Sequence, residues 1–146
     1  MSLDNKPSSE TADIRTKLSA LWIVVALNYV YGDVFTLLGK GAIINFTQES
    51  LFGAAVLVET PIVMVFLSRM VKNYQVNRWS NIAVGAINLL ATTASLIVEL
   101  LAGTQYAYNV FFAVIEVASI FAVIWYAWEW HKPAQELKTV EVSSIH

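Results

Sequence analysis

Apolar residues dominate four stretches of the chain, residues 18–38, 51–71, 79–102 and 107–130, and three polar breaks separate them. Each stretch has about the 20 residues that a helix rising about 1.5 Å per residue needs to cross the hydrocarbon core. Without water, a spanning backbone must satisfy its own hydrogen bonds, so each stretch is predicted to be a helix. The alternating ten-residue pattern of barrel strands is absent. The predicted fold is all-α, an integral membrane four-helix antiparallel bundle. Residues 1–17 and 131–146 are polar and lack apolar periodicity, which predicts disordered tails. The first apolar stretch is too long for a signal peptide, carries Asn28 and Asp33, and precedes no small-residue cleavage site, so it is read as a permanent helix.

The breaks predict connectivity and orientation. Residues 72–78 are short and basic, and residues 103–106 shorter still. Short connections join antiparallel neighbours, which pairs helix two with three and three with four. The longer break at 39–50 starts with Gly39 and Gly41, which suit the end of helix one. Its Ile43, Ile44 and Phe46 suit a segment lying on the membrane surface, and Asn45-Phe46-Thr47 has the form of a glycosylation acceptor, read here as chance. Lys6, Arg15 and Lys17, then Arg69, Lys72 and Arg78, then Lys132 and Lys138 all fall on one side, against Lys40 on the other. The positive-inside rule therefore predicts cytoplasmic N- and C-termini in a cell inner (plasma) membrane, with Trp22, Trp79, Trp128 and Trp130 forming an aromatic belt at that boundary.

Composition narrows the chemistry. The 146 residues are 57% hydrophobic and 14% charged, with mean hydropathy +0.58, whereas about a quarter of a globular chain is charged. Nine basic and eleven acidic residues leave a net charge of −2, so no basic field invites nucleic acid. No cysteine is present, which removes disulfides, thiolate metal sites and cysteine nucleophiles. The two histidines, His131 and His146, lie outside the apolar stretches, so neither haem nor zinc inside the membrane is expected, and no cofactor is predicted. No Ser-His-Asp set, P-loop or dinucleotide glycine pattern occurs, and the chain reads more readily as a non-enzyme.

Apart from Glu129 at the very end of the fourth, each predicted helix nevertheless holds one acid: Asp33, Glu59, Glu99 and Glu116. An ionisable group at the bilayer centre costs at least about 2.5 kcal/mol and normally faces protein or water. Counting along the helices puts all four acids in the half of the bilayer opposite the basic residues, with Glu99 near its boundary and in reach of water. Asn81, Gly85, Asn88, Thr92, Ser95 and Glu99 follow one another at spacings of 4, 3, 4, 3 and 4, a single small and polar face of helix three. Ser19, Trp22, Ala26, Tyr29, Asp33 and Thr36 make a similar face on helix one, and Asn109, Glu116, Ser119 and Tyr126 on helix four. Pro61, beside Glu59 and Thr60, removes a backbone donor, frees a carbonyl near Leu57 and predicts a kink.

The functional reading is a polar cavity in which Asp33, Glu59 and Glu116, supported by Asn28, Tyr29, Asn88 and Thr92, bind a small polar or cationic ligand or protons. The structural reading is that these groups only hold helices together, by hydrogen bonds averaging about 0.6 kcal/mol. Two further readings remain open: a non-catalytic assembly or accessory subunit, packed on itself or on another membrane protein, and a subunit of a quinone- or lipid-linked oxidoreductase with a cavity near Trp125 and Tyr126.

Several segments carry a family resemblance: Leu21-Trp22-Ile23, Leu27-Asn28-Tyr29 and Gly32-Asp33; Glu59-Thr60-Pro61-Ile62 through Ser68-Arg69; Asn77-Arg78-Trp79-Ser80-Asn81; and Phe111-Phe112 through Ile115-Glu116, with Trp125-Tyr126-Ala127-Trp128. Over about residues 18–130 the chain resembles a family of small bacterial four-helix membrane proteins of unknown function. More loosely, its layout is similar to the DoxX-like group, some of which work beside quinone-linked oxidoreductases. The cysteine pair of the redox-active members is missing here. The resemblance implies a fold and a membrane location and brings no activity with it.

Overall fold

The computed structural model describes residues 6–40, 47–103 and 107–130. They form four helices and, among the described residues, no strand: α1 (Lys6–Lys40), α2 (Gln48–Met70), α3 (Tyr74–Leu101) and α4 (Ala107–Glu129). All four are long and apolar enough to cross a membrane, and the chain is a multi-pass membrane protein. Large apolar side chains such as Leu38, Leu90 and Leu101 stand outward and exposed, as a lipid-facing surface requires.

The first three helices start before their apolar stretches, and local polar chemistry sets several of the ends. Asn73 caps α3, its side-chain oxygen accepting from the backbone N–H groups of Gln75 and Val76 at 3.0 and 3.3 Å. Gly103, at φ 64°, ends α3 in the left-handed conformation that glycine adopts without strain. The expected disordered segment at residues 1–17 is helical from Lys6 onward. Its side chains stabilise that extension: Asp13 and Lys17 pair one turn apart at 2.6 Å, Ile14 packs on the core, and Arg15 donates to the Lys72 carbonyl at 2.8 Å. The surface segment at 43–46 and most of the acceptor triplet at 45–47 lie outside the described residues, as does the tail at 131–146.

Around the bundle, α1 packs on both α2 and α4, and α4 on α3. The expected pairing of α3 with α4 is present. That of α2 with α3 is narrow, and its hydrogen bonds sit near the short connection. The apolar core is likewise confined to that end, where Leu18, Trp22, Val25, Ile120 and Val123 are fully buried. We call this the Arg78 end.

A polar network locks the same end. The Trp22 Nε1 of α1 and the Ser68 Oγ of α2 both donate to Asn81 Oδ1 of α3, at 2.7 and 3.0 Å. Asn81 Nδ2 donates to the Asn77 carbonyl and side-chain oxygens, each at 2.8 Å. Asn77 Nδ2 in turn donates to the carbonyls of Ser68 and Val71, each at 2.9 Å. Arg78 brings in α4, donating to the Trp128 carbonyl and the Tyr74 hydroxyl at 3.0 Å each, while Tyr74 donates to the Trp130 carbonyl. This geometry corrects the aromatic belt: Trp22 and Trp130 are buried at 0% and 1% exposure, and Trp79 and Trp128 are the exposed members. An indole N–H inside the bundle needs a partner, and Asn81 supplies one for Trp22.

Two substitutions test this packing. Asn81→Ala strands the Trp22 and Ser68 donors and is expected to cost about 2 kcal/mol in equilibrium unfolding from mixed micelles. At Gly85 a Cβ would sit 3.0 Å from Ile124 Cγ1, so Gly85→Leu should lose about 1–3 kcal/mol by overpacking α3 on α4. At Gly53 a Cβ meets nothing within 4 Å, and Gly53→Leu should stay within about 0.5 kcal/mol.

Candidate ligand cavity

Toward the other end the bundle does not close. A cavity of about 300 Å³ opens there, with all four helices contributing to its walls. From α1 come Asn28, Tyr29, Asp33 and Thr36; from α2, Ala54, Leu57 and Val58; from α3, Ala91, Thr92, Ser95 and Glu99; from α4, Asn109, Phe112, Ala113 and Glu116. These are the small and polar faces of α1, α3 and α4. The residues of α2 that turn the same way are small or aliphatic, which leaves room where a bulky side chain would seal the seam.

The polar groups are tied across helices rather than left loose. Tyr29 donates to Asn88 Oδ1 at 3.0 Å, linking α1 to α3, and Asn88 Nδ2 donates back to the Val84 carbonyl at 2.9 Å. Thr92 donates to the buried Glu116 carboxyl, linking α3 to α4. Asn109 Nδ2 donates to Glu99 Oε2 at 3.0 Å, a second α3–α4 link. Asp33 is exposed at the rim.

Asp33 and Glu116 thus share one cavity, together with Asn28, Tyr29 and Thr92, and Asn88 joins it through Tyr29. Glu59 does not. It is exposed, on the face of α2 opposite buried Pro61, Met64 and Ser68. Glu99, expected from the sequence as a boundary acid, also lines the cavity. It is half-buried, bonded by Asn109, and part of the cavity wall. Its place at the end of the α3 polar face was the available signal, as was the spacing of Asn109 two turns before Glu116. At Pro61, α2 runs on as helix, and the carbonyl that the proline frees at Leu57 accepts from the Thr60 hydroxyl at 2.6 Å.

No group of three His, Asp or Glu side chains among the described residues converges as a metal site. Asp33, Glu99 and Glu116 line the cavity from three different helices. A second hollow, of about 660 Å³, lies at the Arg78 end between Tyr74, Gln75, Arg78, Trp79 and residues 128–130. Neither Trp125 nor Tyr126 lines it.

A family model described as a family of unknown function, DUF6326, matches residues 9–137. The chain belongs to that family. No curated protein and no solved structure matches the chain.

Water access to the cavity is directly measurable, because the protein has no native cysteine. Ser95→Cys in the cavity wall should react with a charged, membrane-impermeant thiol reagent at least about tenfold faster than Ile97→Cys, at similar depth on the lipid side of α3. Equal rates would mean that the cavity is dry.

Proposed function

We propose that this member of the DUF6326 family binds a small organic cation, in exchange for protons, in the cavity between its helices. Asp33 and Glu116 carry the charge, Glu99 completes the wall, and Asn28, Tyr29, Asn88 and Thr92 hold the geometry. The observation that carries this reading is that three carboxyls from three different helices line one cavity of about 300 Å³. A carboxylate in a membrane cavity can pair with a cation or take up a proton, so binding and protonation compete for the same groups. Phe112 in the wall offers a ring face to an ammonium group. The basic residues Arg15, Lys72 and Arg78 gather at the opposite end of the bundle, which by the positive-inside rule is the cytoplasmic end in a bacterial inner membrane, and the cavity then faces outward.

The test uses purified protein in lipid nanodiscs, in weak buffer, titrated with tetramethylammonium and with benzylamine. The expected result is saturable binding with proton release, weakened about tenfold or more by Glu116→Gln and by Asp33→Asn and unaffected by Glu59→Gln. If neither probe binds, or if both cavity variants bind as the parent does, the reading is wrong.

A further inference from the structure

Glu59 is the one intramembrane acid whose place in the bundle gives it no role. Along α2, Phe52, Val56, Glu59, Val63, Phe66 and Met70 follow at spacings of 4, 3, 4, 3 and 4, and every one of them is exposed. The inward face of the same helix carries the buried Pro61, Met64 and Ser68, and Ala54, itself exposed, lines the cavity. An outward stripe repeating every 3.5 residues along the helix has the spacing of the seam of a left-handed helix pair. At its middle sits a carboxyl that hydrocarbon cannot satisfy.

We propose that this stripe is a homodimer interface, in which α2 of one copy packs against α2 of a second copy and the two Glu59 carboxyls hydrogen-bond to each other. The observations single out a second copy of this chain as the occupant. The stripe offers one polar group among apolar ones, so a partner needs one hydrogen-bonding group at the same depth. Two copies inserted with the same topology bring their α2 helices together in parallel, and a two-fold axis along the seam places each Glu59 opposite its equivalent. A neutral carboxyl has one donor and one acceptor, so two of them satisfy each other completely. A single polar residue within an otherwise apolar seam also fixes its register. On the bundle side, α2 packs on α1 and touches α3 only narrowly, so its outward stripe is left uncovered by the other helices. This inference is independent of what the cavity binds.

Single cysteines test it in the cysteine-free chain. Val56→Cys and Val63→Cys, reconstituted at high dilution in phospholipid vesicles and oxidised, should form disulfide-linked dimers. Val114→Cys, exposed on α4, should give at least about fivefold less. Adding Glu59→Leu to the Val63→Cys chain should cut the yield about fivefold or more, while Glu59→Gln, whose amide also pairs with its own kind, should retain most of it. The unfolding midpoint of the Glu59→Leu monomer in micelles should match the parent, which separates lost association from lost folding. Equal yields with and without the acid overturn the proposal. So do equal yields from the α4 cysteine, single-step photobleaching of labelled parent protein in vesicles, or cross-linking of Val63→Cys to a different protein in native membranes in place of its own copy.

Discussion

A polar side chain placed where there is no water must find its hydrogen bonds inside the protein, and the Asn81 amide answers that demand for three helices at once. Its oxygen takes the indole N–H of Trp22 and the hydroxyl of Ser68, and its nitrogen reaches back to Asn77. The directions of these bonds leave little choice in how α1, α2 and α3 meet. Arg78 and Tyr74 extend the same logic to α4 through carbonyls at the helix end. Lipid gives helices no hydrophobic reason to associate. A network of this kind, together with close packing at Gly85 and the buried Trp22, supplies the specificity that water-driven burial would supply in a soluble bundle.

Locking one end has a consequence for the other. With the helices fixed at the Arg78 end, the opposite end does not need to be tightly filled to hold its shape. Three polar links there run to α3: Tyr29 to Asn88, Thr92 to Glu116, Asn109 to Glu99. The buried face of α3, from Asn77 through Asn81, Gly85 and Asn88 to Thr92, is therefore a polar spine running from the locked end to the cavity. α2 sits across from that spine and contributes only small or aliphatic walls.

The four helices were legible in the sequence because hydrophobic length is a direct physical requirement of the bilayer. The spine of α3 was legible as well, since its 4-3-4-3-4 spacing maps onto one helix face without knowledge of neighbours. Helix ends were less so. Residues 6–17 look like a polar tail, and only the Asp13–Lys17 pair and the reach of Arg15 to Lys72 show why they continue the helix. Trp22 misled for a related reason: an indole near a membrane boundary suits the interface and a buried acceptor equally well, and only the fold brings Asn81 beside it. Glu59 and Glu116 present the same difficulty. Both are single acids near mid-membrane, yet Glu116 faces Thr92 and Glu59 faces outward. The seven-residue spacing of Ala54, Pro61 and Ser68 marks the inner face of α2 and by subtraction the outer one, but that stripe is weakly polar and easily passed over beside the Glu59-Thr60-Pro61 cluster.

The two faces of α2 join the cavity and the proposed dimer in one element. The inward face contributes Ala54, Leu57 and Val58 to the cavity wall, and Glu59 follows directly on the outward side. Between them the backbone ladder is interrupted: Pro61 cannot donate to Leu57, and the Thr60 hydroxyl takes its place. A helix with a missing internal bond bends there more easily than elsewhere, and α2 meets α3 only along a narrow contact. A second copy seated along Phe52, Val56, Glu59 and Val63 would restrain this segment from outside the bundle. The width of the seam between α2 and α3 would then depend on the α2–α2 contact. In that arrangement the acid outside the cavity still bears on it, through the position of the wall rather than through its charge.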